Sequence, residues 1–133
     1  NDECLMTYGN YVYYPNGSSG IEPSPYPKEV IENNSFRKDK WRASHLRTFK
    51  TKLWNHINLE DLKNLNGNYY ETAYDQALMI PMLEISSYKS KFISKILHVY
   101  NRSNPLNVDK INRKKQSETA QRIRLKAPYE RKF

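Results

Sequence analysis

Asp75 is the sharpest candidate for chemistry, a carboxylate of the kind that accepts a proton in general-base catalysis. It sits at the mouth of an apolar run, Ala77-Leu78-Met79-Ile80, just after the aromatic residues Tyr69, Tyr70 and Tyr74. A general base has to lie within hydrogen-bond reach of the proton it removes, and the start of a helix is a firm place to hold one. A plainer reading stays open beside it. An acid in the first turn complements the helix dipole, a contribution of about 0.3–1 kcal/mol. Glu84 follows nine residues later, beyond Pro81. Helical periodicity turns it towards the face opposite Asp75, which suits pairing with a lysine or shaping a substrate site rather than acting as base.

Trp41, Arg42 and His45 form a second cluster. Arginine can grip a phosphate bidentately, and backbone N–H groups at a helix start favour anions, so the cluster could hold a phosphate. His45 could equally be satisfied by a backbone carbonyl. His56 and His98 have no companions at metal-ligand spacing, and no zinc site is expected. Tyr8, Tyr11, Tyr69 and Tyr70 carry apolar rings with a hydroxyl that needs a partner, which suits a cleft wall as well as a core. No Gly-rich phosphate loop, Ser-His-Asp set or Cys-His pair is present.

The elements that must position these groups follow from pattern. Residues 5–14 read as a strand closed by the turn Pro15-Asn16-Gly17. Residues 18–27 read as a loop, because Pro23, Pro25 and Pro27 bar helix and sheet. A short helix is expected over 28–33 and a polar, mobile connection over 35–40. From Ser44, a plausible N-cap, Leu46, Phe49, Leu53 and Ile57 recur at spacings of three and four, predicting a helix. A second short helix is expected over 59–65, ended by Asn66-Gly67, and a third from Thr72 or Tyr74 through Leu83, kinked at Pro81. Residues 91–100 read as a strand and 101–105 as a turn. A basic helix over 108–126, capped by Asn107, closes the order.

Charge is divided unevenly. Residues 1–36 hold five acids and one base, whereas residues 37–133 hold 21 bases and nine acids. The basic tail, 107–133, could attract nucleic acid, an anionic membrane surface or a diphosphate, or be a solvated helix face. Cys4 is the only cysteine, so no internal disulfide forms. No run of 18 apolar residues is present, so no transmembrane span is expected. Hydrophobic residues make up 38% of 133, which suits one small domain or a piece of a larger one.

Three segments together resemble the C-terminal half of a family 2 glycosyltransferase of the GT-A fold. They are Leu5-Met6-Thr7-Tyr8-Gly9-Asn10-Tyr11 followed by Tyr14-Pro15, then residues 41–49 from Trp41 to Phe49, and then the stretch from Tyr69 to Asn107. The resemblance covers nearly the whole chain from Leu5 to Phe133. It implies an α/β, Rossmann-like nucleotide-diphospho-sugar transferase domain of which this chain is the acceptor-binding part, the donor-binding part lying upstream. It implies Asp75 as the base of an inverting transfer, where the family usually has Glu-Asp and this chain has Tyr74-Asp75. Trp41, Arg42, His45, Tyr8, Tyr69, Tyr70 and Glu84 would shape the substrate cleft, and Arg113 and Lys114 would fall in a segment covering the diphosphate.

The partners so implied are a nucleotide-sugar donor and a carbohydrate or glycan acceptor, in the cytoplasm or at a membrane surface. Mg²⁺ or Mn²⁺ would serve the complete enzyme, held by an Asp-x-Asp element that these 133 residues lack. The chain alone is then expected to bind no metal and to be inactive. The rival expectation is a non-enzymatic basic module for nucleic acid or a partner protein. Against nucleic acid stand the acidic first 36 residues and the lack of any RNA-recognition, KH or helix-turn-helix pattern.

Overall fold

The computed structural model describes residues 3–18, 24–107 and 112–133. The fold is mixed α/β. Its described elements are β1 (Met6–Tyr14), α1 (Lys28–Glu32), β2 (Ser44–Phe49), α2 (Thr51–Trp54), α3 (Tyr74–Ser86), β3 (Ser90–Asn101) and α4 (Arg113–Leu125). Short 3₁₀ turns occupy Phe36–Lys38, Leu59–Leu62 and Ser87–Lys89.

The three strands form one sheet in the order β2-β1-β3. β1 runs antiparallel to β2, with Met6 opposite Phe49, and parallel to β3, with Met6 opposite Ser90 and Tyr14 opposite Asn101. Parallel neighbours need a long crossover, and here it carries α1, β2, α2 and α3. Gly9 lies where the register of β1 slips against both neighbours. A Cβ there would come within 3.2–3.3 Å of backbone atoms of His45, Leu46 and Ile93, so a side chain would push the three strands apart.

α3 is the centre of the molecule. From Met79 to Ser86 every residue is buried, and the helix packs against β1, α2, α4 and the turn at Phe36. A helix apolar on all sides belongs inside, and this one has Leu5, Met6, Phe36, Leu53 and Ile123 as fully buried company. The helix continues through Pro81, whose missing N–H removes one backbone bond. No helix among the described residues is long and apolar enough to cross a membrane.

Four expectations need correction. The helix predicted from Ser44 is strand β2 followed by the short α2. Leu46 and Phe49, which supplied half of its apparent stripe, are 44% and 40% exposed, while Leu53 alone of the four is fully buried. The connection at 35–40 is not a polar linker, because Phe36 and Arg37 are both buried. The helix at 59–65 is a 3₁₀ turn of four residues, Leu59–Leu62, held by the Asn58 side chain accepting the Glu60 N–H. The final helix is capped by Asn112, which accepts from the Lys115 N–H, rather than by Asn107. Positions 108–111 of that predicted helix lie outside the described residues.

The last described residues strap the structure together. After α4, the Tyr129 N–H donates to Glu84 Oε2 at 2.9 Å and its hydroxyl donates to Asp61. Asn34 donates to the Tyr129 carbonyl at 2.8 Å, and the Lys132 N–H donates to the Ile85 carbonyl at 3.1 Å.

Candidate functional site

β2 and the start of α3 face each other across a cleft of about 290 Å³. Ala73, in the left-handed region at φ 53°, caps α3 without any side-chain bond. Asp75 supplies what the cap lacks: its Oδ1 accepts the Gln76 N–H at 2.9 Å. Its Oδ2 accepts from Arg47 at 3.0 Å, and the side chain is 32% exposed. Asp75 is thus an acid of the first turn whose side chain is partly exposed to the cleft.

Arg47 is held on three sides. Its Nε donates to the Ala43 carbonyl at 2.7 Å, its NH2 group donates to Asp75, and its guanidinium lies 5.7 Å from the Trp41 ring centre. Such a fork is fixed in direction, and it fixes Asp75 in turn. His45 lines the same cleft because strand residues two apart share a face. Its ring stacks on His98 at 4.5 Å and packs edge-on against Tyr11. Burial, then Arg47 and His98, pull the His45 pKa down to about 4, so the imidazole is neutral near pH 7. Tyr100, Asn107, Gln116 and Glu71 complete the wall.

Of the residues singled out by sequence, the structure brings Asp75 and His45 together in this cleft. Trp41 stands behind it, stacked on Arg47. The expected cationic cluster at a helix start is not formed. The segment is a strand, His45 is neutral, and Arg42 is committed to Asp39 at 2.6 Å and to Ser24. Tyr8 is a core residue, 3% exposed, whose hydroxyl accepts the Tyr26 N–H. Glu84 is 1% exposed and forms a bidentate pair with Arg37 at 2.6 and 3.0 Å. Burial pushes its carboxyl above the ordinary value against the pull of Arg37 and the Tyr129 N–H. A substrate has no access to it.

Tyr69 and Tyr70 lie outside the cleft, beside Lys63 and Lys126 respectively. Arg113 and Lys114 are exposed at the start of α4, and Lys114 approaches Glu118 at 4.0 Å. Among the described residues no three His, Cys, Asp or Glu side chains come together to hold a metal ion. The divalent ion implied by the resemblance thus finds no fitting set among them.

Arg47 was the residue to find. Read with a period of two, Ser44 to Phe49 puts His45 and Arg47 side by side, which a helical reading separates. No protein-family model, curated protein or solved structure matches this chain.

Proposed function

We propose that this chain is the acceptor side of an inverting, family 2-like glycosyltransferase of GT-A type. One observation carries the reading: Asp75 presents a partly exposed carboxylate to a cleft from the first turn of the central helix, clamped by Arg47. An acceptor hydroxyl in the cleft gives its proton to Asp75 as its oxygen attacks the anomeric carbon of the sugar. The bond from that carbon to the diphosphate oxygen breaks, and the nucleoside diphosphate leaves with the bonding electrons.

Arg47 positions the base. Neutral His45 offers an uncharged hydrogen-bonding edge to a sugar hydroxyl, and Tyr100 an aromatic wall. The donor and its metal belong to residues other than these 133, so the isolated chain turns over no donor. The complete protein acts in the cytoplasm or at a membrane surface.

The test is nucleoside diphosphate release by the complete gene product, across a panel of UDP-, GDP- and dTDP-sugars with mixed glycan acceptors. Asp75→Asn should lower turnover by about 10²–10⁴-fold. Wild-type rates in Asp75→Asn, or turnover by the isolated chain, would overturn the reading.

A further inference from the structure

The cleft at Asp75 does not end at Asp75. Glu71 and Thr72 also line a second hollow of about 260 Å³, and Asn64, Tyr70 and Arg122 pass from that hollow into a third of about 620 Å³. Helix α4 borders all three, contributing Gln116 to the first, Thr119 to the second and Leu125 to the third. At 1.5 Å per residue, the nine steps from Gln116 to Leu125 span roughly 14 Å, far more than one sugar ring needs. Thr72, at the junction of the first two hollows, is 4% exposed and its buried hydroxyl has no hydrogen-bond partner among the described residues.

Charge along the groove is mostly spent. Lys63 pairs with Glu60 at 2.6 Å, Lys115 with Glu71, and Lys126 approaches Asp61 at 3.8 Å while donating to the Asp61 carbonyl. Arg122 differs. It is exposed, lines both outer hollows, and has no hydrogen bond or ion pair among the described residues. Its planar fork matches a carboxylate or phosphate. Around it lie the Tyr70 ring and the Leu65 and Leu125 side chains, which are 93% and 86% exposed. These apolar surfaces suit the C–H faces of sugar rings.

We propose that this groove takes an acidic sugar chain as the acceptor, its reactive hydroxyl at Asp75 and a carboxylate or phosphate farther along against Arg122. The inference rests on the transferase reading for the word acceptor, but not for the ligand chemistry. Glu60, Glu71 and Glu118 interrupt the cations of the groove, so it offers no continuous basic track for a polyanion such as RNA. A single unpaired guanidinium reads one anionic group instead.

The experiment is calorimetric titration of the complete gene product with a galactose trisaccharide carrying a single galacturonate, the methyl ester of that galacturonate, and a trimannoside carrying a 6-phosphate. At least one acid should bind about ten-fold or more tighter than the neutral ester, the scale of a hydrogen bond to a charged group. Arg122→Gln should erase that difference, and Lys28→Ala, at an exposed residue that lines none of the three hollows, should keep it. The acid that binds tighter tells carboxylate from phosphate. Equal binding of acid and ester, no binding of either acid, an unchanged Arg122→Gln profile, or tighter binding of a ten-nucleotide single strand would each overturn the inference. Donor turnover onto neutral acceptors that ignores Arg122→Gln would also overturn it and leave the transferase standing. Acid-selective binding lost in Arg122→Gln, without turnover of any donor, would support the groove and remove the transferase.

Discussion

Helix α3 carries two arginine–carboxylate pairs whose surroundings give them opposite uses. At its N-terminal end Asp75 meets Arg47 with about a third of its side chain exposed. Nine residues later Glu84 meets Arg37 with side chains 0% and 7% exposed. The inner pair is closed: Glu84 also accepts the Tyr129 N–H, and Arg37 also donates to the Ile123 carbonyl at 2.7 Å. The outer pair has capacity left for a ligand. A buried charge must be matched by partners on every side, and a matched charge has nothing further to offer.

The comparison breaks first, and hardest, at Glu84. Glu84→Ala leaves the Arg37 charge buried alone and should cost about 3–5 kcal/mol in urea unfolding, a large share of a small domain's stability. Arg37→Met with Glu84→Leu should recover much of that loss, and a single variant as stable as wild type would show the pair to be idle. Asp75→Asn should do the reverse. It keeps an oxygen for the Gln76 N–H, so the urea midpoint should hardly move while turnover falls about 10²–10⁴-fold.

Arg47→Lys sharpens the contrast at a smaller scale. Lysine cannot reach the Ala43 carbonyl and Asp75 at once, and a displaced base should lower kcat by up to about 10²-fold with KM little changed. An effect confined to stability would make the outer pair a copy of the inner one. The smallest effect is a slope. His45 holds its proton less tightly when folded, about 4 against an ordinary 6.5, so the unfolded chain binds protons first as pH falls. Its contribution is intact above 6.5 and is lost as pH drops towards 4. In His45→Gln the fall of stability over that window should be shallower, as read by urea midpoints at half-unit steps.

The long elements were legible in the sequence, and the pairs were not. β1 and β3 follow from dense aromatic and β-branched runs, and α3 from an apolar stretch with an acid at its mouth. β2 escaped because Leu46, Phe49, Leu53 and Ile57 mimic a helical stripe across what is a half-exposed strand and a separate turn of helix. Pairing with β1, not local preference, makes it a strand. Arg37 was unreadable for a related reason: its surroundings in sequence are polar, and the partner that draws it inside lies 47 residues away. Asp75 was legible as the acid opening α3, whereas His45 reaches the cleft from a strand and not from the helix start its neighbours suggested. Tyr8 was misplaced because a tyrosine in a strand looks the same whether its hydroxyl meets a sugar or the Tyr26 backbone.

The strap at Tyr129 gives the molecule an order of completion. Arg37 and Glu84 leave the ribosome well before Ile123 and Tyr129, which supply the last carbonyl and the last N–H to their network. A nascent chain paused between residues 90 and 120 has made the whole of its central helix but still lacks the backbone groups that quiet its two innermost charges. Its helix must wait, wetted or chaperoned, for a segment 45 residues downstream of Glu84. Arrest-peptide force profiles should accordingly show the main folding event only once Tyr129 has cleared the exit tunnel.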